Sequence, residues 1–211
     1  SFYFIFRLFV LGPDYFLGIQ TSIVENPLIT LDWLSRFSTA LSVFSMYVQK
    51  SFWPFGLCSD YSFNQIQIIS NIFNLQALIG LMILVLASVS IFIFIRKIPA
   101  ISLGSAFLVF AFLPVSNLFF SIGTIAGERL MFYPSVGLAI IFSFICIKIY
   151  EYFSRKGEMY ARICLGLFGL FMLFYAFSTI SRNTNWLSEK KLFTSAAKCS
   201  PNSVLSLSNL G

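Results

Sequence analysis

Four long apolar runs dominate the hydrophobic pattern of the chain, and short polar or charged segments separate them. A helix needs about 20 predominantly apolar residues to cross the hydrocarbon core of a membrane. Each run therefore predicts a membrane-spanning helix, at about residues 73–95, 98–125, 130–153 and 163–181. Pro114 lies inside the second run and predicts a kink or a break there, where nearby polar side chains can satisfy the freed backbone groups.

The part of the chain before these runs has a weaker pattern. The apolar stretch 2–11 is too short to span a membrane by itself, and residues 13–71 are a mixture of loop-like and interfacial sequence. Within them, residues 33–53 carry apolar side chains at helical spacing, interrupted by Arg36 and by several hydroxyl groups. This amphipathic pattern favours a helix in the membrane interface, and a spanning or re-entrant helix is the alternative.

The final segment, residues 182–211, is polar and amphipathic. Phe193, Pro201 and Leu210-Gly211 fit the register in which one tetratricopeptide repeat ends and the next begins, although any amphipathic helix gives a similar pattern. Repeats bury their core against neighbouring repeats. We therefore expect further sequence beyond residue 211, and the apolar beginning of the chain predicts preceding sequence as well.

The composition agrees with a membrane protein rather than a soluble domain. Hydrophobic residues make up 58% of the 211 residues and charged residues only 10%, with a mean hydropathy of +0.85. The net charge of +6 comes from basic residues that flank the apolar runs, so it does not indicate nucleic-acid binding. The chain has no histidine, which excludes a Ser-His-Asp or Cys-His catalytic group within it and disfavours a metal site, so no metal ligand is assigned.

The basic residues also predict an orientation, because cytoplasmic loops of membrane proteins carry an excess of Lys and Arg. The segments between the runs alternate between the two sides of the membrane, and the margin is six residues against about five. The side predicted to be cytoplasmic carries Arg96, Lys97, Lys148, Arg155, Lys156 and Arg162; the opposite side carries Lys50, Arg129, Arg182, Lys190 and Lys191.

The four cysteines fall into two groups. Cys146 and Cys164 lie inside apolar runs and are expected to pack as small hydrophobic side chains. Cys58 and Cys199 lie outside the runs, on the side predicted to be opposite the cytoplasm. They can pair if that compartment is oxidising, but their spacing in the sequence does not decide this.

Glu128 and Arg129 are adjacent opposite charges in apolar sequence. Residues 98–127 before them and residues 130–147 after them carry no charge. A charge is costly in or beside hydrocarbon, so an ionisable pair at this place indicates a functional site. Neighbouring positions on a helix do not face each other, and each charge is therefore expected to have a separate partner. The alternative is a turn at the membrane edge whose charges lie in water.

Several stretches together resemble one known family. The most specific block contains Ser116-Asn117-Leu118-Phe119-Phe120, Gly127-Glu128-Arg129-Leu130 and Tyr133-Pro134-Ser135-Val136-Gly137. Other stretches also resemble the family in their order and spacing along the chain: Asn26-Pro27, Arg36, Asp60-Tyr61-Ser62 and the segment 182–193. This set resembles the transmembrane and tetratricopeptide-repeat proteins, which are protein O-mannosyltransferases that target cadherins, and the resemblance covers nearly the whole chain.

The resemblance implies an all-α membrane protein. Residues 1–181 would be the C-terminal portion of a multi-span transmembrane domain of the GT-C type, and residues 182–211 would begin a lumenal tetratricopeptide-repeat region. It also implies a multi-pass protein of the endoplasmic reticulum membrane, in contact with membrane lipid. Such an enzyme transfers mannose from dolichyl phosphate mannose to Ser or Thr of lumenal or secretory-pathway proteins such as cadherins, without a tightly bound cofactor.

The resemblance also suggests roles for individual residues. In GT-C enzymes the catalytic acid lies in the first lumenal loop, upstream of Ser1, so no catalytic residue is assigned and the chain alone is expected to be inactive. Arg129 would contact the donor phosphate, since its guanidinium suits phosphate oxygens. Pro134 predicts a helix start whose N–H groups at Ser135 and Val136 would add to an anion site. Glu128 would bind sugar hydroxyls or orient a neighbour, Tyr133 would stack or donate a hydrogen bond, and support is expected from Arg36, Asp60, Tyr61 and Asn117.

Other interpretations of the same residues remain open. Arg129 can pair with Asp60 or Glu25, Tyr133 can be an aromatic residue of the membrane interface, and Asp60-Tyr61-Ser62 can be a local turn. The alternative function is a non-catalytic membrane scaffold of the endoplasmic reticulum whose repeats bind a partner protein. A transporter is disfavoured because the apolar runs contain few polar groups at mid-membrane depth.

Overall fold

The computed structural model describes residues 22–209, and within them it contains helices and no strand. The all-α prediction is therefore confirmed. The apolar stretch 2–11, the loop predicted at 13–21 and the register of Leu210-Gly211 lie outside the described residues. The α-helices in chain order are α1 (Trp33–Phe52), α2 (Leu75–Phe94), α3 (Pro99–Phe112), α4 (Phe132–Ser154), α5 (Glu158–Asn183), α6 (Glu189–Cys199) and α7 (Val204–Ser208).

Three helical segments of the described part are long and apolar enough to cross a membrane. They are Leu75–Phe94, Glu128–Ser154 and Glu158–Trp186, and they correspond to the first, third and fourth predicted spans. Short connections join α2 to α3 and α4 to α5, so each of these pairs runs antiparallel. These findings confirm a membrane protein.

The second predicted span is shorter than the sequence indicated. It was expected to reach residue 125, but α3 and the following 3-10 turn (Leu113–Val115) end ten residues earlier. Pro114 has no N–H group to continue an α-helix, and Ser116 Oγ accepts a hydrogen bond from the N–H of Leu118 at 3.1 Å. Asn117 then takes a left-handed backbone conformation with φ of 58°, which ends the helical path. The break predicted at Pro114 is therefore present, whereas the predicted end at residue 125 was wrong.

Helix α1 packs mainly against α2 and also contacts α3. It begins at Trp33, and the carboxylate of the preceding Asp32 accepts a hydrogen bond from the N–H of Ser35 at 3.1 Å and caps the first turn. Along its length, Ser42 donates to Gln76 at the start of α2, and the ring of Phe44 packs on Phe112 at the end of α3. Residues 33–52 therefore form a helix, and its position in the membrane interface stays a prediction.

The C-terminal turn of α1 reaches further between α4 and α5. The hydroxyl of Tyr175 donates to the carbonyl oxygen of Ser51 at 2.8 Å, and the ring of Phe52 lies 6.3 Å from that of Phe142. Together with the contacts to α2 and α3, these show that α1 contacts each of the helices α2, α3, α4 and α5. Its buried side chains, among them Leu41 and Phe44, form the centre of the hydrophobic core.

Residues 53–74 form a connector between α1 and α2, and the tail after α5 packs against it. Ser188 and Ser203 accept hydrogen bonds from N–H groups in the first turns of α6 and α7, which fixes the starts of these helices. Cys58 of the connector and Cys199 of α6 form a disulfide bond, with their Cα atoms 5.8 Å apart. The pairing that the sequence left open is therefore present.

Candidate functional site

The carboxylate of Glu128 lies where three parts of the fold meet. Glu128 begins the 3-10 turn Glu128–Met131, which leads directly into α4. Its Oε1 atom accepts hydrogen bonds from the Tyr61 hydroxyl at 2.6 Å and from the N–H of Cys58 at 2.7 Å. Lys50 Nζ lies 3.8 Å from Oε1, and Arg182 Nη2 lies 3.9 Å from Oε2. Glu128 therefore joins α1, the connector and α5 at the start of α4.

The protonation of the neighbours follows from burial and from this carboxylate. Burial raises the pKa of the Tyr61 phenol well above its usual range, and the hydrogen bond to Glu128 and its charge raise it further. The phenol therefore stays protonated and donates to Glu128. Burial lowers the pKa of the Lys50 ammonium, and Arg182 lowers it as well, while the charge of Glu128 acts in the opposite direction.

A cleft of about 270 Å³ lies beside this junction, and we call it the cationic cleft. It is lined by Tyr47, Lys50, Ser51, Leu57, Glu128, Arg129, Met131, Phe132 and Ser135. The Arg129 side chain is exposed there, and within residues 22–209 it forms no ion pair shorter than 4.0 Å. The structure therefore does not show the alternative pairing of Arg129 with Asp60 or Glu25.

The cationic cleft adjoins a groove of about 300 Å³ between α4 and α5. Ser51 and Ser135 line both cavities, so the two spaces are adjacent. Apart from these two residues and Ser143, the groove is lined by apolar and aromatic side chains, among them Phe52, Leu138, Phe142, Phe171, Met172 and Tyr175. A polar headgroup bound beside Arg129 would thus have space for an attached hydrocarbon chain.

The other residues proposed for the site take different positions. Tyr133 is 68% exposed, packs edge-on against Phe132 at 5.3 Å between ring centres, and does not line the cationic cleft. Ser135 lines the cleft, but its hydroxyl donates to the carbonyl oxygen of Phe132 at 2.7 Å.

The anion site was predicted at a helix that starts at Pro134, but α4 begins two residues earlier, at Phe132. Met131 is the N-cap of α4, so its carbonyl oxygen accepts the first α-helical bond, from Ser135, and Phe132 accepts the next, from Val136. Both N–H groups are thus used inside the helix. The reason is that α4 continues the 3-10 turn, whose first bond runs from Leu130 to Gly127 at 3.0 Å.

Arg36 and Asn117 hold the loop between α3 and α4 and lie outside the cationic cleft. Asn117 is 3% exposed, and its amide accepts from the Asn26 amide at 3.0 Å and from the N–H of Ile122 at 2.9 Å. Arg36 Nη2 donates to the carbonyl oxygen of Phe119 at 3.5 Å. Their hydrogen bonds are therefore with protein groups, within this loop and in the segment before α1.

Asp60 also lies away from the cleft, on the side of the connector that faces the tail. Its Oδ2 atom accepts from the N–H of Ser62 at 3.2 Å, so the turn proposed for Asp60-Tyr61-Ser62 is formed. Tyr61, between them, instead points to Glu128. The described part of the chain contains no group of three or more Cys, Asp or Glu side chains that could hold a metal ion.

Three polar residues of the cleft, Tyr47, Lys50 and Ser51, were not assigned to it from the sequence. Tyr47 accepts a hydrogen bond from the N–H of Gly127 at 2.7 Å, and Lys50 lies beside Glu128. Lys50 and Ser51 follow Tyr47 by three and four residues on α1, so all three share one face. That spacing was a usable signal, but nothing in the sequence indicates that this face meets residue 128.

Comparison with known proteins identifies relatives. Protein O-mannosyl-transferase TMTC1 of Mus musculus is 29% identical over 202 residues, which cover 93% of this chain and 21% of that protein. Protein O-mannosyl-transferase TMTC4 of Homo sapiens is 30% identical over 191 residues, covering 84% of this chain and 24% of that protein. The chain thus spans about a fifth of the length of these relatives. No protein-family model and no solved structure matches the chain.

Proposed function

Because this chain belongs to the transmembrane and tetratricopeptide-repeat family, whose curated relatives are named protein O-mannosyl-transferases, we propose that the protein is a mannosyltransferase acting on Ser or Thr of proteins. The proposed donor is dolichyl phosphate mannose. Proteins of the secretory pathway, such as cadherins, are the proposed acceptors. The relatives' names give no support to the alternative of a non-catalytic scaffold.

The observation that carries this proposal is the cationic cleft with its adjoining apolar groove. A lipid-linked sugar phosphate combines a negative phosphate with a long hydrocarbon chain, and it needs a binding site with the same two parts. The cleft provides Lys50 and the exposed guanidinium of Arg129, and the groove between α4 and α5 provides apolar and aromatic side chains. Arg129 presents several N–H groups in a planar fork that matches phosphate oxygens.

Within this site we assign the donor phosphate to Arg129 first and to Lys50 second, since Lys50 Nζ also donates to the carbonyl oxygen of Gly56 at 2.5 Å and lies 3.8 Å from Glu128. Glu128 limits the positive charge of the cleft and holds the connector through Tyr61 and Cys58. It is therefore a positioning residue, and its engaged Oε1 atom disfavours a role as catalytic base. Tyr133 lies outside the cleft, and its exposed ring suits the membrane interface.

We further propose that the connector and the tail face the lumen of the endoplasmic reticulum and that the tail begins a tetratricopeptide array. The disulfide bond between Cys58 and Cys199 supports an oxidising compartment for this side of the membrane. The helix-turn-helix arrangement of α6 and α7 agrees with the beginning of a helical repeat.

A mannosyl-transfer assay with the full-length protein tests the function. Dolichyl phosphate mannose and a Ser/Thr acceptor are supplied to wild-type protein, Arg129→Ala, Arg129→Lys and the control Lys148→Ala, whose ammonium pairs with Glu151 on an exposed surface of α4. We expect Arg129→Ala to lower transfer by about a hundredfold and Arg129→Lys by less, since lysine keeps the charge without the fork. Absence of transfer by correctly inserted wild-type protein would contradict the function. Normal transfer by Arg129→Ala would contradict the site.

A further inference from the structure

The carboxylate of Asp60 gathers hydroxyl groups from both the connector and the tail. Its Oδ2 atom accepts from Ser62 Oγ at 2.8 Å, from Ser206 Oγ at 3.2 Å and, at short distance, from Ser203 Oγ. Ser62, Ser203 and Ser206 are each no more than 1% exposed. Hydrogen bonds to a charged acceptor are stronger than those between neutral groups, so this cluster fastens the beginning of α7 to the connector.

Further links join the same two segments. The N–H of Val204 donates to the carbonyl oxygen of Phe63 at 2.7 Å, and the N–H of Asn64 donates to the carbonyl oxygen of Asn202 at 3.2 Å. Ser200 Oγ donates to the carbonyl oxygen of Asp60 at 2.7 Å. The Cys58–Cys199 disulfide closes the contact covalently. We call residues 58–64 and 199–206, with these bonds, the tail joint.

The tail joint is also connected to the cationic cleft. Asp60 and Ser62 face the tail, whereas Tyr61 between them donates its hydroxyl hydrogen to Glu128. Cys58 is bound on both sides, because its sulfur is bonded to Cys199 and its N–H donates to Glu128. Residues 58–62 of the connector thus contact the tail on one side and the carboxylate of Glu128 on the other.

We propose that Asp60 and the disulfide are positioning residues, which hold the tail at a fixed place beside the cleft so that a protein bound by the tail reaches the donor sugar. This inference rests on the proposed mannosyltransferase function. Helical repeat arrays provide extended surfaces for binding proteins. A binding segment held rigidly at the right distance gives its ligand a higher effective concentration at a second site than a flexible linker does.

Two kinds of acceptor separate positioning from general stability. One is a folded acceptor domain that is large enough to contact the tail, and the other is a short Ser/Thr peptide that enters the cleft directly. The test variant combines Asp60→Ala with Cys58→Ala and Cys199→Ala, and Asp60→Asn in the same cysteine background is the conservative control. A milder variant, Ser203→Ala with Ser206→Ala, keeps the disulfide and the carboxylate.

In the test variant we expect kcat/KM for the folded domain to fall about tenfold or more, because the tail no longer raises the local concentration of its ligand. The value for the short peptide and the KM for dolichyl phosphate mannose should stay within about twofold of the parent protein. Asp60→Asn retains an acceptor oxygen and should restore part of the loss, and the milder variant should show a smaller loss of the same kind. Amide hydrogen exchange should rise in the tail joint and not in α2 to α5.

Different failures of this experiment have different meanings. Wild-type protein that transfers mannose to neither acceptor would overturn the proposed function and the positioning role with it. A second outcome is that wild-type protein transfers mannose, but the test variant and the milder variant lose kcat/KM equally for both acceptors. That result would overturn the positioning role and leave the proposed function standing. Unchanged use of the folded domain, despite faster exchange in the tail joint, would overturn it as well.

Discussion

Glu128 and Arg129 are neighbours in the sequence, yet they have different surroundings. Adjacent positions on a helical turn point in different directions, and here Glu128 points to the connector while Arg129 is exposed at the cationic cleft. The carboxylate is occupied by protein donors. The guanidinium, within the described residues, has no acidic partner closer than 4.0 Å. This division explains why we assign the ligand anion to Arg129 and a positioning role to Glu128.

Removal of the Glu128 carboxylate should therefore affect the fold as well as activity. Glu128→Ala leaves the Tyr61 hydroxyl and the Cys58 N–H without their acceptor, and a buried donor without a partner costs about 1–3 kcal/mol. We expect a clear loss of thermal stability in detergent or nanodiscs and a smaller loss for Glu128→Gln, which keeps an acceptor oxygen. Glu151→Ala, at an exposed ion pair, is the control. Equal melting temperatures for Glu128→Ala and the control would contradict this role.

At the scale of single residues, the sequence identified the charged pair but only part of its surroundings. The long uncharged stretches on both sides made residues 128 and 129 visible. Tyr61 was expected to give support, but Lys50 was not assigned to the site. These partners lie 67 and 78 positions earlier in the chain, and they approach Glu128 only because the fold brings α1 and the connector to the start of α4. No local pattern carries that information.

At the scale of elements, the apolar runs predicted three spanning helices, and Pro114 predicted the break after α3, but the run to residue 125 did not give the end of that helix. Length and composition suffice to predict a spanning helix, because such a helix forms its backbone hydrogen bonds within itself. The end of α3 depends instead on Pro114 and Asn117, and the Asn117 side chain is held by the buried amide of Asn26. Asn26 lies in a loop 91 residues away, so the chain turns at Asn117 for a tertiary reason.

The contact between α3 and α4 depends on two glycines. A Cβ atom at Gly137 would lie 2.3 Å from the carbonyl oxygen of Gly104 and 2.5 Å from the nitrogen of Leu108. Gly137→Ala should therefore push the two backbones apart and destabilise the protein by about 1–3 kcal/mol. The matched controls are Gly166→Ala and Gly169→Ala on α5, where nothing lies within 4 Å of an added Cβ.

Thermal unfolding in a fixed detergent compares these variants. Both controls should keep or slightly raise the melting temperature, because alanine favours a helix over glycine by about 1 kcal/mol. Only Gly137→Ala should lower it. A similar small change in all three variants would show that α3 and α4 are not packed as closely as described.

At the scale of the whole molecule, the disulfide bond joins residues 141 positions apart and so fastens the tail to the connector across all the intervening helices. In a protein whose other cysteines, Cys146 and Cys164 among them, are replaced by alanine, we expect a maleimide mass tag to react only after reduction. Replacement of both Cys58 and Cys199 by Ala should lower stability by about 2–4 kcal/mol. Tagging of unreduced protein isolated from its native membrane would contradict both the bond and the oxidising compartment.

The central claim is that the cationic cleft binds the phosphate of a lipid-linked sugar donor. Direct binding of dolichyl phosphate to the full-length protein in nanodiscs tests it most closely, because no acceptor and no catalytic step is required. We predict that Arg129→Ala and Lys50→Ala each weaken binding by about tenfold or more, that Lys148→Ala does not, and that dolichol without phosphate binds weakly to every variant. Wild-type affinity for dolichyl phosphate in a protein that carries both Arg129→Ala and Lys50→Ala would contradict the claim.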